Sequence, residues 1–286
     1  MMGVEVVLDK AKLNHQINID SSILARCLPA HLQHIAIECV SETRSTNTDL
    51  LNTVKHILPG QHHPILRQAA RQTAGRGRLG RTWLGDANKM LTFSLAWPFT
   101  LPLKQLYGLS VVCGIALIQA LTADLVLQQA QRLKLKWPND VLLDEKKMAG
   151  VLIETANISA DQSWAVIGIG INYHYDSQLE KLLDRELAGL DQLRCDLDLT
   201  TLLARCVTAL AGQLKLFAAQ GFQPFMSVWP HYDAYFGKQI DVYDGQTQLA
   251  CGVAKGVDSR GQLLLQTERG LEAFMLGELS LRVVGV

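Results

Sequence analysis

The densest group of chemistry-bearing residues occupies positions 75–83, which read Gly-Arg-Gly-Arg-Leu-Gly-Arg-Thr-Trp. Arg76, Arg78 and Arg81 are strung on Gly75, Gly77 and Gly80, and Trp83 closes the run. Glycine lets the backbone adopt positive φ and approach a ligand closely. The forked guanidinium donors match the oxygens of carboxylates and phosphates. Such a segment suits an anionic ligand and is poorly suited to a core. Taken alone, a Gly/Arg run reads equally well as a solvated basic turn or a weak nucleic-acid patch. The spacing of a Walker phosphate loop is absent.

A second constellation narrows the chemistry. Lys136-Trp137-Pro138-Asn139-Asp140 leads into the apolar run Val141-Leu142-Leu143; after a charged turn, Met148 begins another apolar run. The pattern predicts two strands joined by a short hairpin, with Lys147 on the inward lip of the second. An ordinary hairpin lysine like its neighbour Lys146 is the competing reading. Upstream, Arg44-Ser45-Thr46-Asn47 precedes a helical pattern at 48–58, and Ser45 and Thr46 are residues that commonly cap helices. Downstream, residues 166–172 form a strand pattern in which Gly168 and Gly170 leave room for a ligand against the backbone, and Asn172 ends it.

In this order and spacing the motifs resemble those of the bacterial-type biotin–protein ligases, the biotin–[acetyl-CoA-carboxylase] ligases. The resemblance runs over residues 3–282, nearly the whole chain, and the arginine–glycine loop and Lys-Trp-Pro-Asn-Asp block are specific as a pair. It implies an ATP-dependent enzyme that joins biotin to ATP as biotinyl-5′-adenylate and then transfers biotin to a lysine of a biotin carboxyl carrier domain of acetyl-CoA carboxylase. A carboxylate must then attack an α-phosphate although both are negative, so fixed positive charge between them is needed. The resemblance assigns that role to Arg76, Arg78, Arg81 and Lys147, with Mg²⁺ on the polyphosphate.

Biotin needs an apolar slot with a few polar groups matched to its ureido ring. By family position Ser45, Thr46, Asn47 and Gln72 lie at the ureido end. Gly75, Gly77, Gly150, Gly168 and Gly170 line the slot, with Arg76, Arg78 and Lys147 at its charged end. On the nucleotide side the resemblance places Trp83 as an apolar wall and Asn172 as a polar reader near adenine. Arg78, Arg81 and Lys147 accompany them, and Asn139 and Asp140 face the phosphates or the metal. Trp137 is expected to pack. The alternatives are a lipoate–protein ligase, which shares adenylation chemistry, and a biotin-sensing transcriptional repressor.

Many bacterial members carry an N-terminal DNA-binding winged helix. Here the lead at 1–40 is too short for one, and it holds three Lys/Arg residues (Lys10, Lys12, Arg26) against four acids (Glu5, Asp9, Asp20, Glu38). That balance is no electrostatic footprint for DNA, so DNA binding is not expected. The family also allows a homodimer through sheet edges near 151–155.

The 286 residues, 48% hydrophobic and 19% charged with zero formal net charge, fit one large domain plus a small one and argue against nucleic acid as the main partner. The six cysteines form no Cys-x-x-Cys pair and no export signal is recognisable, so a cytoplasmic protein with reduced thiols is expected. His31, His34, His62 and His63 have no convergent partners, and no resident metal site is expected. The uncharged stretch 105–123 is predicted to be a buried core helix rather than a membrane span.

Strands are predicted at 65–69, 90–97, 133–136, 141–143, 151–154 and 165–172, and helices at 22–27, 48–58, 106–121 and 199–219. Because strands and helices do not alternate strictly, the expected fold is α+β: a mixed-sheet catalytic domain at 41–235 packed with helices. Short strands at 240–243, 248–257, 262–266, 271–276 and 279–284, punctuated by turn residues, predict a small C-terminal β-barrel at 236–286.

Overall fold

Strand β3 (Met90–Phe99) is buried on both faces, with Leu91, Phe93, Leu95, Trp97 and Phe99 on one and smaller residues on the other, and β7 (Gln162–Asn172) is nearly all buried too, as strands covered from both sides are. They pair along their whole length at the centre of a seven-stranded sheet with order β1-β2-β3-β7-β6-β5-β4. The structure, a computed structural model, describes residues 19–57, 62–193, 197–275 and 279–283. The strand-like residues at 4–8, the ends of the helix expected to reach 58 and of the strands expected to reach 276 and 284, and Cys195 lie outside the described residues.

The remaining strands of the large sheet are β1 (Ala36–Thr43), β2 (Ile65–Gln72), β4 (Leu133–Lys136), β5 (Asp140–Leu143) and β6 (Lys146–Ser159). β1 and β2 are parallel and every other pair is antiparallel. β1 crosses the boundary that the sequence pattern places at residue 40, and the end of the lead is therefore part of the large sheet. It escapes the periodicity because it is an edge strand with only alternate, half-buried apolar positions. The β5–β6 hairpin turns on Asp144 and Glu145, both at positive φ (47° and 68°), as a two-residue connection requires.

The two faces of the sheet are covered differently. Leu91, Phe93, Leu95, Trp97 and Phe99 point into the main core with α3 (Leu109–Thr122) and α6 (Leu199–Gln220), against which α1 (Ser21–Cys27) also packs. The stretch expected to be a core helix is α3, buried on nearly all sides. α6 is long and apolar enough to cross a membrane by composition, yet Leu202, Cys206, Leu210, Leu214 and Phe217 form a stripe buried in this core. α4 (Leu127–Ala130) and α5 (Ser177–Leu183) are short connectors, the latter capped by Asp176 and absent from the sequence expectation.

The opposite face carries α2 (Thr46–Val54), packed on Ala96, Trp164 and Val166 through Leu50 and Val54. Residues directly opposite in antiparallel strands point to the same face, so the pairing defines rows across the sheet. One row reads Ala69, Thr92, Gly170, Gly150, Asp140, and the next reads Arg67, Ser94, Gly168, Leu152. Small residues in the middle of both rows leave a hollow beside α2, and this hollow is where the site forms.

The C-terminal strands β8 (Gln239–Asp244), β9 (Thr247–Val257), β10 (Leu263–Thr267), β11 (Gly270–Phe274) and β12 (Leu279–Val283) make an antiparallel, barrel-like sheet of order β11-β10-β9-β8-β12. Trp137, buried as expected of a packing residue, donates its Nε1–H to the Gly261 carbonyl at 2.9 Å and joins the barrel to the site motif. Trp137→Phe leaves that carbonyl without its donor and is expected to cost about 1–3 kcal/mol of stability. Urea unfolding measures this, and an unchanged midpoint would show that the contact does not bind the two units together.

Candidate active site

Two cavities open on the α2 face. The smaller, of about 60 Å³, is lined by Ser45, Thr46, Asn47, Gln72, Arg76, Gly77, Arg78, Trp83, Asn139, Lys147, Gly150, Val151, Leu152, Gly168, Ile169 and Gly170. The larger, of about 450 Å³, is reached past Gly77, Arg78, Trp83, Asn139 and Lys147, which line both. Arg81, Lys136, Asp140, Asn172 and Arg185 line the larger one alone, together with apolar groups including Leu84, Leu179, Leu183 and Leu281.

The polar end of the smaller cavity is a continuous network. Ser45 caps α2 by accepting from the Thr48 N–H, and the Thr46 N–H donates to Gln72 Oε1 at 2.8 Å. The Thr46 hydroxyl lies 2.6 Å from that of Ser94, which donates to Asn47 Oδ1 at 2.6 Å. Asn47 Nδ2 donates to Glu154 Oε2 at 3.0 Å, and Glu154 in turn grips Arg76 with oxygen–nitrogen distances of 2.9 and 3.1 Å. Ser94 and Glu154 were not among the expected site residues. Their signal was parity alone: Ser94 shares a row with Gly168, and Glu154 lies two residues beyond Leu152 on the same face.

The arginine–glycine segment is a tight loop rather than a solvated tail. Its base is closed by Trp83 N–H donating to the Gly75 carbonyl at 3.0 Å and its tip by Gly77 N–H donating to the Arg81 carbonyl at 2.7 Å. Leu79 and Gly80, at φ 59° and 67°, make the tip turn. Gly75 does not line the slot as expected; a Cβ there would fall 2.4 Å from the Trp83 carbonyl, so its role is to let the loop close. Gly168 and Gly170 do line the slot, but the room they leave is already filled. A Cβ on Gly168 would fall 2.3 Å from Asn47 Oδ1, and one on Gly170 would fall 2.2 Å from the Trp83 indole. Trp83 therefore stands between the two cavities, over Gly150 and Gly170, with Lys147 Nζ 5.3 Å from its ring centre. Its Nε1 is buried with no hydrogen-bond partner among the described residues.

Asn139 spaces the site: it accepts from Arg78 Nη1 at 3.1 Å and donates to the Val151 carbonyl at 2.9 Å. Asn172 braces the wall of the larger cavity: its Nδ2 donates to the carbonyls of Lys147 (3.3 Å) and Ala188 (3.1 Å), and these bonds leave its Oδ1 as an acceptor. Asp140 is buried between Lys147 Nζ, 2.5 Å from Oδ1, and Arg185 Nη2, 3.1 Å from Oδ2. Burial alone would raise its carboxyl, but Lys147 and Arg185 hold it below the usual carboxylate range. Burial lowers the Lys147 ammonium, with Asp140 opposing. Lys136 is pushed from 10.5 down to about 8 by burial, against the pull of Asp140.

Among the described residues no group of three or more His, Cys, Asp or Glu converges. Asp140 is the one carboxylate lining the larger cavity among the described residues, and both its oxygens face cations. That arrangement does not fit a metal cage. It is compatible with Mg²⁺ carried in on a polyphosphate, which needs few protein carboxylates.

A polar slot opening into a cationic chamber suits a ligase that joins a carboxylate to a nucleotide, and comparison with known proteins gives the family. Residues 39–172 match the family model of the biotin/lipoate A/B protein ligase family. The bifunctional ligase/repressor BirA of Escherichia coli (strain K12) is 32% identical over 238 residues, covering 83% of this chain and 71% of that protein. The biotin–[acetyl-CoA-carboxylase] ligase of Mycobacterium tuberculosis is 29% identical, covering 80% and 82% of the two chains. Among solved structures, the biotin protein ligase from Aquifex aeolicus in complex with biotin and ATP superposes with a TM-score of 0.69 at 29% identity, covering 88% of this chain and 99% of that one. The chain belongs to the biotin/lipoate protein ligase family, among its biotin–protein ligases.

The Lys136 shift has a testable sign. Its ammonium loses the proton as pH rises through about 8, and a bound polyanion favours the charged form. Affinity for ATP is therefore expected to weaken as pH rises through that value, with proton uptake on binding in calorimetry; Lys136→Arg should flatten the profile. Gly168→Ala pushes Asn47 out of its network and is expected to weaken biotin binding at least tenfold on the scale of a buried polar group left unpaired, roughly 1–3 kcal/mol. Equilibrium binding of biotin checks this, and an unchanged affinity would detach Asn47 from the biotin slot.

Proposed function

We propose that this protein is an ATP-dependent biotin–protein ligase that forms biotinyl-5′-adenylate and transfers biotin to a specific lysine of a biotin carboxyl carrier domain of acetyl-CoA carboxylase. The observation that carries the reading is the junction of the two cavities. A slot lined by the neutral hydrogen-bonding groups of Ser45, Thr46, Asn47 and Gln72, with Arg76 paired to Glu154 at its side, ends where Arg78 and Lys147 open into a strongly cationic chamber. Biotin matches that sequence of environments: a neutral ureido ring able to use Ser45, Thr46, Asn47 and Gln72, a chain along the glycine rows, and a carboxylate at Lys147. Entry requires the Trp83 indole to shift, since about 60 Å³ lies well under the roughly 300 Å³ at which ligand pockets begin. The indole is held there by packing and one cation, with its N–H unpartnered, so that displacement breaks no hydrogen bond.

ATP with its Mg²⁺ fills the larger cavity, phosphates toward Arg78, Arg81, Lys136 and Lys147, with Leu179 and Leu183 of α5 as apolar wall. A biotin carboxylate oxygen attacks the α-phosphorus; the bond from that phosphorus to the bridging oxygen breaks, and pyrophosphate leaves. Lys147 and Arg78, at the shared wall, face charge that grows on the α-phosphate oxygens. In the second step the carrier lysine amine attacks the biotinyl carbonyl carbon and AMP departs with the bonding electrons. The free cysteines among the described residues suit a reducing compartment, and we place the enzyme in the cytoplasm. Beyond Gly150 the outer edge of β6 has no β5 partner among the described residues, which serves a homodimer through the edge near 151–155. The polar network of four side chains at the slot's end favours biotin over lipoate, whose distal end offers no ureido donors.

Incubating the protein with biotin, Mg-ATP and a biotin carboxyl carrier domain, with lipoate in parallel, tests the reading by intact mass. A single biotin adduct on the carrier is expected, and no lipoate adduct. One positioned charge is typically worth about 2–4 kcal/mol of barrier, so Arg78→Ala or Lys147→Ala should slow adduct formation by about a hundredfold or more. Biotin binding without an adduct would turn the assignment to a biotin sensor.

A further inference from the structure

The segment after β7 delivers a cation to the site that no sequence motif marks. Arg185 follows α5, and its Nη2 lies 3.1 Å from Asp140 Oδ2. The backbone beside it is pinned to the site: Lys147 N–H donates to the Glu186 carbonyl at 3.3 Å, and Ala188 N–H donates to the Lys147 carbonyl at 2.9 Å. Asn172 Nδ2 fastens the same stretch through the Ala188 carbonyl. Arg185 is thus held in register with Lys147, and it lines the larger cavity with its side chain about one-third exposed (36%).

Its place along the reaction axis follows from the two cavities. In displacement at phosphorus the attacking and leaving oxygens are roughly in line. The carboxylate comes from the smaller cavity, and the α-phosphate meets it at the shared wall of Arg78 and Lys147. The leaving group therefore points to the far side, and the cations that line the larger cavity alone are Arg81, Lys136 and Arg185. Arg81 and Lys136 belong to motifs; Arg185 does not. Asp140, its carboxylate partner among the described residues, keeps Lys147 if Arg185 departs. A guanidinium is well shaped to exchange a carboxylate for two phosphate oxygens.

We propose that Arg185 is a pyrophosphate-binding residue: it releases Asp140 when nucleotide enters and holds the β- and γ-phosphate oxygens as they become the leaving group. The proposal rests on the ligase reading above. The bland alternative is a partly exposed ion pair that merely fastens the α5 segment, and such pairs contribute little.

The test compares the wild type with Arg185→Gln and Arg185→Lys in full-length protein. For Arg185→Gln, KM for ATP and the inhibition constant for pyrophosphate are expected to rise roughly tenfold or more, the range for a lost charge-assisted hydrogen bond. KM for biotin, and transfer to the carrier from preformed biotinyl-5′-adenylate, should not change. Arg185→Lys should recover part of both losses, and it carries the test if the glutamine variant does not fold. Unchanged ATP and pyrophosphate constants in Arg185→Gln, with a wild type that transfers biotin, would overturn the role of Arg185 and leave the ligase standing. Faster loss of the adenylate with an unchanged KM for ATP would also overturn it, because that is what a mere fastener predicts. No biotin adduct with the wild type would instead overturn the ligase reading.

Discussion

Like charges held close together repel, and the larger cavity gathers five cationic side chains (Arg78, Arg81, Lys136, Lys147 and Arg185) around one carboxylate among the described residues. Asp140 makes that crowding tolerable. It sits at the end of a sheet row, buried, with one oxygen on Lys147 and the other facing Arg185. Even so, burial, with a smaller contribution from the neighbouring cations, lowers the ammonium of Lys136 to about 8 and lowers that of Lys147. Other features of the site can be understood as means of keeping this arrangement rigid: the hairpin that carries Lys147, the strand-like pairing of Lys147 with Leu187, and Asn172 bracing both.

The second physical theme is shape made by subtraction. Gly168 and Gly170 lie opposite Ser94 and Thr92, and Gly150 continues the row. Removing side chains there creates a hollow on a sheet whose other face is densely packed by α3 and α6. The hollow is then occupied selectively, by Asn47 over Gly168 and by Trp83 over Gly170. One occupant is hydrogen-bonded on both amide atoms and the other leaves its N–H bare. The polar occupant is therefore fastened by hydrogen bonds, and the aromatic one is held by packing and the nearby Lys147 ammonium. Glu154 links the two halves of the site by holding Asn47 and Arg76 at once.

Local patterning carried much of the fold. The continuous apolar runs of β3 and β7, the apolar stripe of α6 and the turn residues of the barrel are all legible in order along the chain. β1 and α5 were not: an edge strand with half-buried positions and a seven-residue helix with no buried residue give periodicity too little to show. Parity could not by itself say which face of β3 would meet α3 and α6 and which would carry α2 and the site, because both faces are buried under helices.

For the site, the sequence by itself determined the chemistry: three arginines on glycines, a lysine on a hairpin and a capped Ser-Thr-Asn turn define an anion site beside a polar slot, because residue type and spacing fix which groups a short loop can present. Only the tertiary structure decided which groups face one another. Glu154 answers Arg76 from 78 positions away, Asp140 is shared between Lys147 and Arg185, and Asn172 Nδ2 donates to backbone carbonyls. The physical reason is that a charge or an amide acts through its nearest partners in space. Those partners are set by strand order and register, which distribute residues distant in the chain along the same row of a sheet.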